Sequence, residues 1–66
     1  MTKFKVMANK KQLASFGIDY DITGLVGELK YKYPTGWYEI KITHTCEAGT
    51  FTNSFDIPHT FLKKVS

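Results

Sequence analysis

Between Gly24 and Thr45, apolar and polar side chains alternate along two ribbons joined by Tyr33-Pro34-Thr35-Gly36-Trp37. On the first ribbon, Leu25, Leu29, Tyr31 and Tyr33 alternate with Val26, Glu28, Lys30 and Lys32. On the second, Tyr38, Ile40 and Ile42 alternate with Trp37, Glu39, Lys41 and Thr43. A period of two is the pattern of strands with one face on a core and the other in water. Pro34 suits the second position of a type I turn, with Gly36 at the fourth. A two-residue loop sets Leu29 opposite Ile40, Tyr31 opposite Tyr38, Lys30 opposite Glu39, Glu28 opposite Lys41, and Lys32 beside Trp37. A three-residue loop sets Tyr31 opposite Glu39 and mixes the faces unless a bulge at Gly36 restores them. Opposite charges across the ladder favour the first register.

The flanking segments supply further elements. Lys3-Phe4-Lys5-Val6-Met7 alternates and predicts a short first strand with Phe4 and Val6 inward. From Ala8 to Asp21 the period is lost, and the preferred reading is a long loop anchored by Leu13, Phe16, Ile18 and Tyr20. About two turns of helix ending at Gly17 are the alternative. Gly24 and Gly27 mark a bulge or a close backbone approach. After a turn at Gly49, Phe51, Phe55 and Ile57 alternate with Thr52, Ser54 and Asp56, while Asn53 falls on the apolar side and needs a hydrogen-bond partner. Pro58 ends that strand, and Pro58–Leu62 predicts one tight turn before a last strand over Leu62–Val65. The expected fold is therefore an all-β single domain over residues 1–66. It is a small five-stranded SH3-like barrel with a long first loop and a short 3-10 turn before the last strand. A five-stranded OB-type barrel is the competitor.

Composition narrows the function. Five Phe, four Tyr and one Trp in 66 residues give a small core large side chains to bury. The single Cys46 excludes an internal disulfide and fits a reducing, cytoplasmic setting. No run approaches the roughly 20 apolar residues of a membrane span, and the start carries no signal-peptide pattern. The net charge is +3 and the basic residues are all Lys, without the guanidinium fork that reads guanine edges.

Two short stretches carry a resemblance. Gly49-Thr50-Phe51-Thr52-Asn53-Ser54-Phe55 followed by Phe61-Leu62-Lys63-Lys64-Val65 resembles the end of the SH3-like barrel protein of photosystem I. Asp21 to Leu29 resembles the second strand of the variable chain of ferredoxin–thioredoxin reductase, a barrel of the same structural group. The Arg-rich opening of the first family and the His- and Pro-containing loop of the second are missing here. The resemblance implies a non-catalytic barrel docking on a larger protein, with an iron–sulfur redox or photosynthetic electron-transfer complex as one such partner.

Candidate chemistry is sparse. His44 and Cys46 share a strand face and His59 follows in the last turn, but three ligands without a fourth do not make the usual structural zinc set. Cys46 lacks the orienting partners of a nucleophile. Asp19 and Asp21 flank Tyr20 as solvated turn residues, and Gly24-Leu25-Val26-Gly27 lacks the Lys and helix of a phosphate loop. No catalysis, cofactor or metal is expected. The expected binding residues are Trp37, Tyr33, Tyr20, Lys32, Phe16, Lys10 and Lys11, grouped around the long loop and the hairpin tip. Lys10-Lys11 and Lys63-Lys64 also read as ordinary solvated surface. The leading expectation is a protein-interaction module acting as a small accessory subunit. A nucleic-acid-binding barrel using Lys and aromatic stacking is the alternative, and free strand edges allow homo-oligomers as a third.

Overall fold

The computed structural model describes all of residues 1–66. It contains β1 (Lys3–Val6), α1 (Lys10–Ser15), β2 (Val26–Lys32), β3 (Trp37–Cys46), β4 (Gly49–Pro58), a 3-10 turn (His59–Phe61) and β5 (Leu62–Lys64). The strands form one antiparallel sheet in the order β4-β3-β2-β1-β5. The protein is thus mostly β, as expected from the alternation. No helix is long and apolar enough to cross a membrane.

The expected loop over Ala8–Asp21 is corrected: Lys10–Ser15 is helical. The Asn9 side chain accepts from the Gln12 N–H at 2.8 Å while Gln12 Oε1 accepts from the Asn9 N–H at 2.9 Å. This reciprocal capping box satisfies two donors that a helix start leaves unpaired. At the other end Gly17 takes φ +82°, Ile18 N–H reaches the Leu13 carbonyl and Gly17 N–H reaches that of Ala14. That is a Schellman ending, and its apolar pair, Leu13 and Ile18, lies in the core. A six-residue helix is too short to persist alone, so burial of Leu13 holds it.

The hairpin register also departs from expectation. Glu28 faces Lys41 and Leu29 faces Ile40 as read from charge, but beyond Leu29 the register shifts, so that Tyr31 faces Glu39 and Lys32 faces Tyr38. The loop is a three-residue one, with Tyr33 N–H bonded to the Trp37 carbonyl and Gly36 at φ +92°. The compensating bulge is at Lys30 rather than at Gly36. Lys30 is therefore not opposite Glu39; its Nζ turns to Glu28 Oε1 at 3.1 Å. Because a bulge inserts one residue into a period of two, Tyr31 and Tyr33 move from the core face to the outer face.

The core comprises Phe4, Val6, Ala8, Leu13, Ile18, Ile22, Ile40, Ile42, Phe55 and Ile57. Gly27 is what lets the sheet fold over this cluster. A Cβ there would overlap the side chains of Ile40 and Ile42 and the Lys41 carbonyl. Side chains of β1 and β3 also meet directly: the Phe4 and Tyr38 rings lie 5.5 Å apart, edge to face. Asn53 finds its partner in His44, Nδ2 to Nε2 at 3.0 Å.

Candidate functional site

The Lys30 bulge and the Gly36 turn assemble a patch on the outer face of β2, β3 and β4. One row across the strands is Tyr31, Glu39 and Asp56; the next is Tyr33, Trp37 and Pro58. The Tyr31 and Tyr33 rings meet at 4.9 Å. Beyond Trp37 the aromatic surface continues, with Phe16 5.4 Å from Trp37 and Phe61 5.3 Å from Phe16. Four elements thus converge: the helix end brings Phe16, the hairpin brings Tyr33 and Trp37, β4 brings Asp56, and the 3-10 turn brings Phe61. Tyr33, Thr35, Trp37 and Asp56 line a shallow cavity of about 260 Å³.

The turn that carries Trp37 is fixed from below. His59 donates its backbone N–H and its ring Nδ1–H to the Gly36 carbonyl, at 2.9 and 2.8 Å. The His59 ring stacks on Tyr38 at 5.6 Å and lies against Gly36, where a Cβ would come within 3.3 Å of it. The hairpin tip is thereby tied to the last turn.

The electrostatics of the patch are lopsided. Glu39 stands directly opposite Asp56, and the one ion pair in the chain is Lys30–Glu28, so neither carboxylate is neutralised. The Tyr33 phenol is held above its ordinary pKa, first by desolvation and then by the negative charges of Asp56 and Glu39. Lysines gather elsewhere on the outer face: Lys5 pairs directly with Lys63, and Lys3 and Lys41 both stand opposite Glu28.

No protein-family model, curated protein or solved structure matches this chain.

Of the expected binding residues, Trp37, Tyr33 and Phe16 come together. Trp37 is on the outer face as read, but half-buried against Phe16 rather than beside Lys32. Lys32 turns to the core side, its Nζ 5.2 Å from the Tyr38 ring centre. Tyr20 lies at the other end of the sheet, against His44 at 4.8 Å and Phe55 at 5.7 Å. There it lines a separate cleft of about 620 Å³ with Asp19, Asp21, Leu25, His44 and Cys46. Lys10 and Lys11 are exposed in the first turn of α1, and their side chains make no hydrogen bond or ion pair. His59 follows Pro58, opposite the start of β3, while His44 and Cys46 lie near its end, so these three do not converge. Tyr31, Glu39, Asp56 and Phe61 are patch residues missing from the expected set. The outward alternation of Glu39 and Asp56 was visible; their pairing required the register through the Gly49 turn.

Proposed function

We propose that the chain is a non-catalytic, SH3-like interaction module whose Trp37 groove takes an extended, lysine- or arginine-bearing segment of a larger protein. The strand order supports the barrel reading: a β2-β3-β4 meander, after which β5 follows the 3-10 turn and crosses back to pair β1. One observation carries the functional reading. Two carboxylates face each other without a lysine partner, beside an aromatic cavity, in a protein of net charge +3. Unneutralised acid next to Trp and Tyr rings favours a cation, which gains both from the carboxylates and from the ring faces. Aromatic-lined grooves between loops suit extended peptides, whose backbone is already stretched before binding.

The same charges weigh against a nucleic acid at this groove, because phosphate would approach Glu39 and Asp56. The lysines of β1 and β5 form a separate surface whose outward neighbours include Val26, not a stacking ring. A redox assembly is one larger partner of the required kind, the one implied by the resemblance to the photosystem I barrel protein. The exposed free thiol of Cys46 suits a cytoplasmic setting.

The test is selection from a random-sequence peptide display library with the intact chain as bait, beside a titration with single-stranded oligonucleotides at low salt. Enrichment of basic peptides that quench Trp37 fluorescence supports the reading. Oligonucleotide binding that weakens steeply with salt, with no basic peptide enriched, overturns it.

A further inference from the structure

We infer that the free edge of β4 pairs with β4 of a second copy of this chain, antiparallel, about a two-fold axis at Asn53. This does not rest on the Trp37 groove: the two share only Asp56, whose side chain lies on the sheet face and whose backbone lies on the edge.

The sheet has two ends, and they are built differently. β5 is three residues long and carries Lys63 and Lys64, short and charged in the way that blunts an edge against pairing. β4 is ten residues long, and its register with β3 runs unbroken from Trp37↔Pro58 to Cys46↔Gly49. From Gly49 to Phe55 it has no charge, no proline and no bulge. Alternate residues of an antiparallel strand direct their N–H and C=O groups to the same side. Pro58 has no N–H to give Trp37, so the positions in phase with it (Asp56, Ser54, Thr52 and Thr50) turn those groups away from β3. None of these four takes part in a backbone hydrogen bond outside the regular ladders.

What selects a second copy as the occupant is the sequence of the edge itself. Phe51-Thr52-Asn53-Ser54-Phe55 reads nearly the same in both directions. An isologous contact needs a surface complementary to itself, and antiparallel pairing of a palindrome provides one. With Asn53 opposite Asn53, Phe51 comes opposite Phe55 of the second copy and Thr52 opposite Ser54. Thr50 and Asp56 form the outermost pair. The four outward residues of each strand then exchange about eight backbone hydrogen bonds. On the outer face the hydroxyl ladder already present in one copy, Thr43 to Thr52 at 2.9 Å and Thr45 to Thr50 at 3.2 Å, continues across the axis. On the inner face Phe51, 43% exposed in the single chain, is covered.

Sedimentation across a concentration series, with amide hydrogen exchange at the same concentrations, tests this. The expected result is a monomer–dimer equilibrium in which the Thr50, Thr52 and Ser54 amides become protected as dimer forms. Thr52→Lys should raise the dimer dissociation constant by more than about tenfold, equivalent to about 1.4 kcal/mol. Ser54→Pro, which removes only an outward N–H, should do the same while leaving the circular dichroism of the monomer unchanged. A wild-type chain that stays monomeric throughout, or a dimer that survives both substitutions, overturns the inference. In the first case the edge is left open to an extended segment of another protein.

Discussion

Glu39 and Asp56 are cross-strand partners in the β3–β4 ladder, two like charges set opposite each other with no lysine at ion-pair distance. Like charges directly opposite destabilise a sheet. The chain has nine lysines, and none is spent on this pair. A cost of that kind is sensible where the carboxylates are used for something other than stability.

Asp56→Asn should therefore stabilise the fold, by a few tenths of a kcal/mol to about 1 kcal/mol, the range for cross-strand charge effects. Urea denaturation measures it through the midpoint at constant slope. The same substitution should weaken binding of any basic peptide selected on the wild-type chain. A gain in stability with a loss in affinity is the combination that separates a functional carboxylate from an idle one.

Gly27→Ala should be strongly destabilising, because the added methyl meets Ile40, Ile42 and the Lys41 carbonyl in a packed interior. Overpacking of this kind costs about 1–3 kcal/mol, occasionally more. Thermal unfolding monitored by circular dichroism is the measurement. An unchanged midpoint would mean that the sheet does not fold tightly over its core at this point.

Asn9→Ala removes the helix cap and should cost about 1 kcal/mol. Because α1 ends at the residue that touches Trp37, the loss should also alter the Phe16–Trp37 contact. Trp37 is the only tryptophan, so its fluorescence reports that change directly.

These elements were unevenly legible in the sequence. The strands were readable because alternation survives in any register, and Phe4, Val6, Ile40 and Ile42 were readable as core for the same reason. The helix carried its own start signal in Asn9 and Gln12, but two turns around one buried leucine give too little apolar periodicity to outweigh a loop. The Lys30 bulge left no trace. The two-residue register and the observed bulged one both keep Glu28 opposite Lys41 and Leu29 opposite Ile40, so charge pairing there cannot reveal the inserted residue. The consequence was large for the site, since that one inserted residue carries Tyr31 and Tyr33 to the outer face. Trp37, Tyr33 and Phe16 were nameable as aromatics near turns; the carboxylate pair beside them depended on tertiary register.

Tyr33 should titrate above an ordinary phenol. Its neutral form is favoured in the fold, so the folded chain holds its proton after the unfolded chain has lost it. Stability is thus unaffected below the unfolded value near 10 and falls as pH rises through that value toward the folded one. Glu28 has the opposite sense: the Lys30 hydrogen bond lowers its pKa, so its contribution is present above the unfolded value near 4.5 and fades as pH falls through the folded one. An NMR titration of the tyrosine rings in wild type and Asp56→Asn should show Tyr33 moving back toward the ordinary value in the variant. No movement would separate Tyr33 from Asp56.

The most direct measurement is an amide and indole chemical-shift map, taken while a basic peptide from the display selection is added to the wild-type chain and to Glu39→Gln/Asp56→Asn. Shifts confined to Tyr31, Tyr33, Trp37, Asp56 and Phe61 are expected in the wild type, together with their loss in the double variant. Equal binding by both proteins, or shifts centred on Lys3, Lys5 and Lys63, would contradict a cation-binding groove at Trp37.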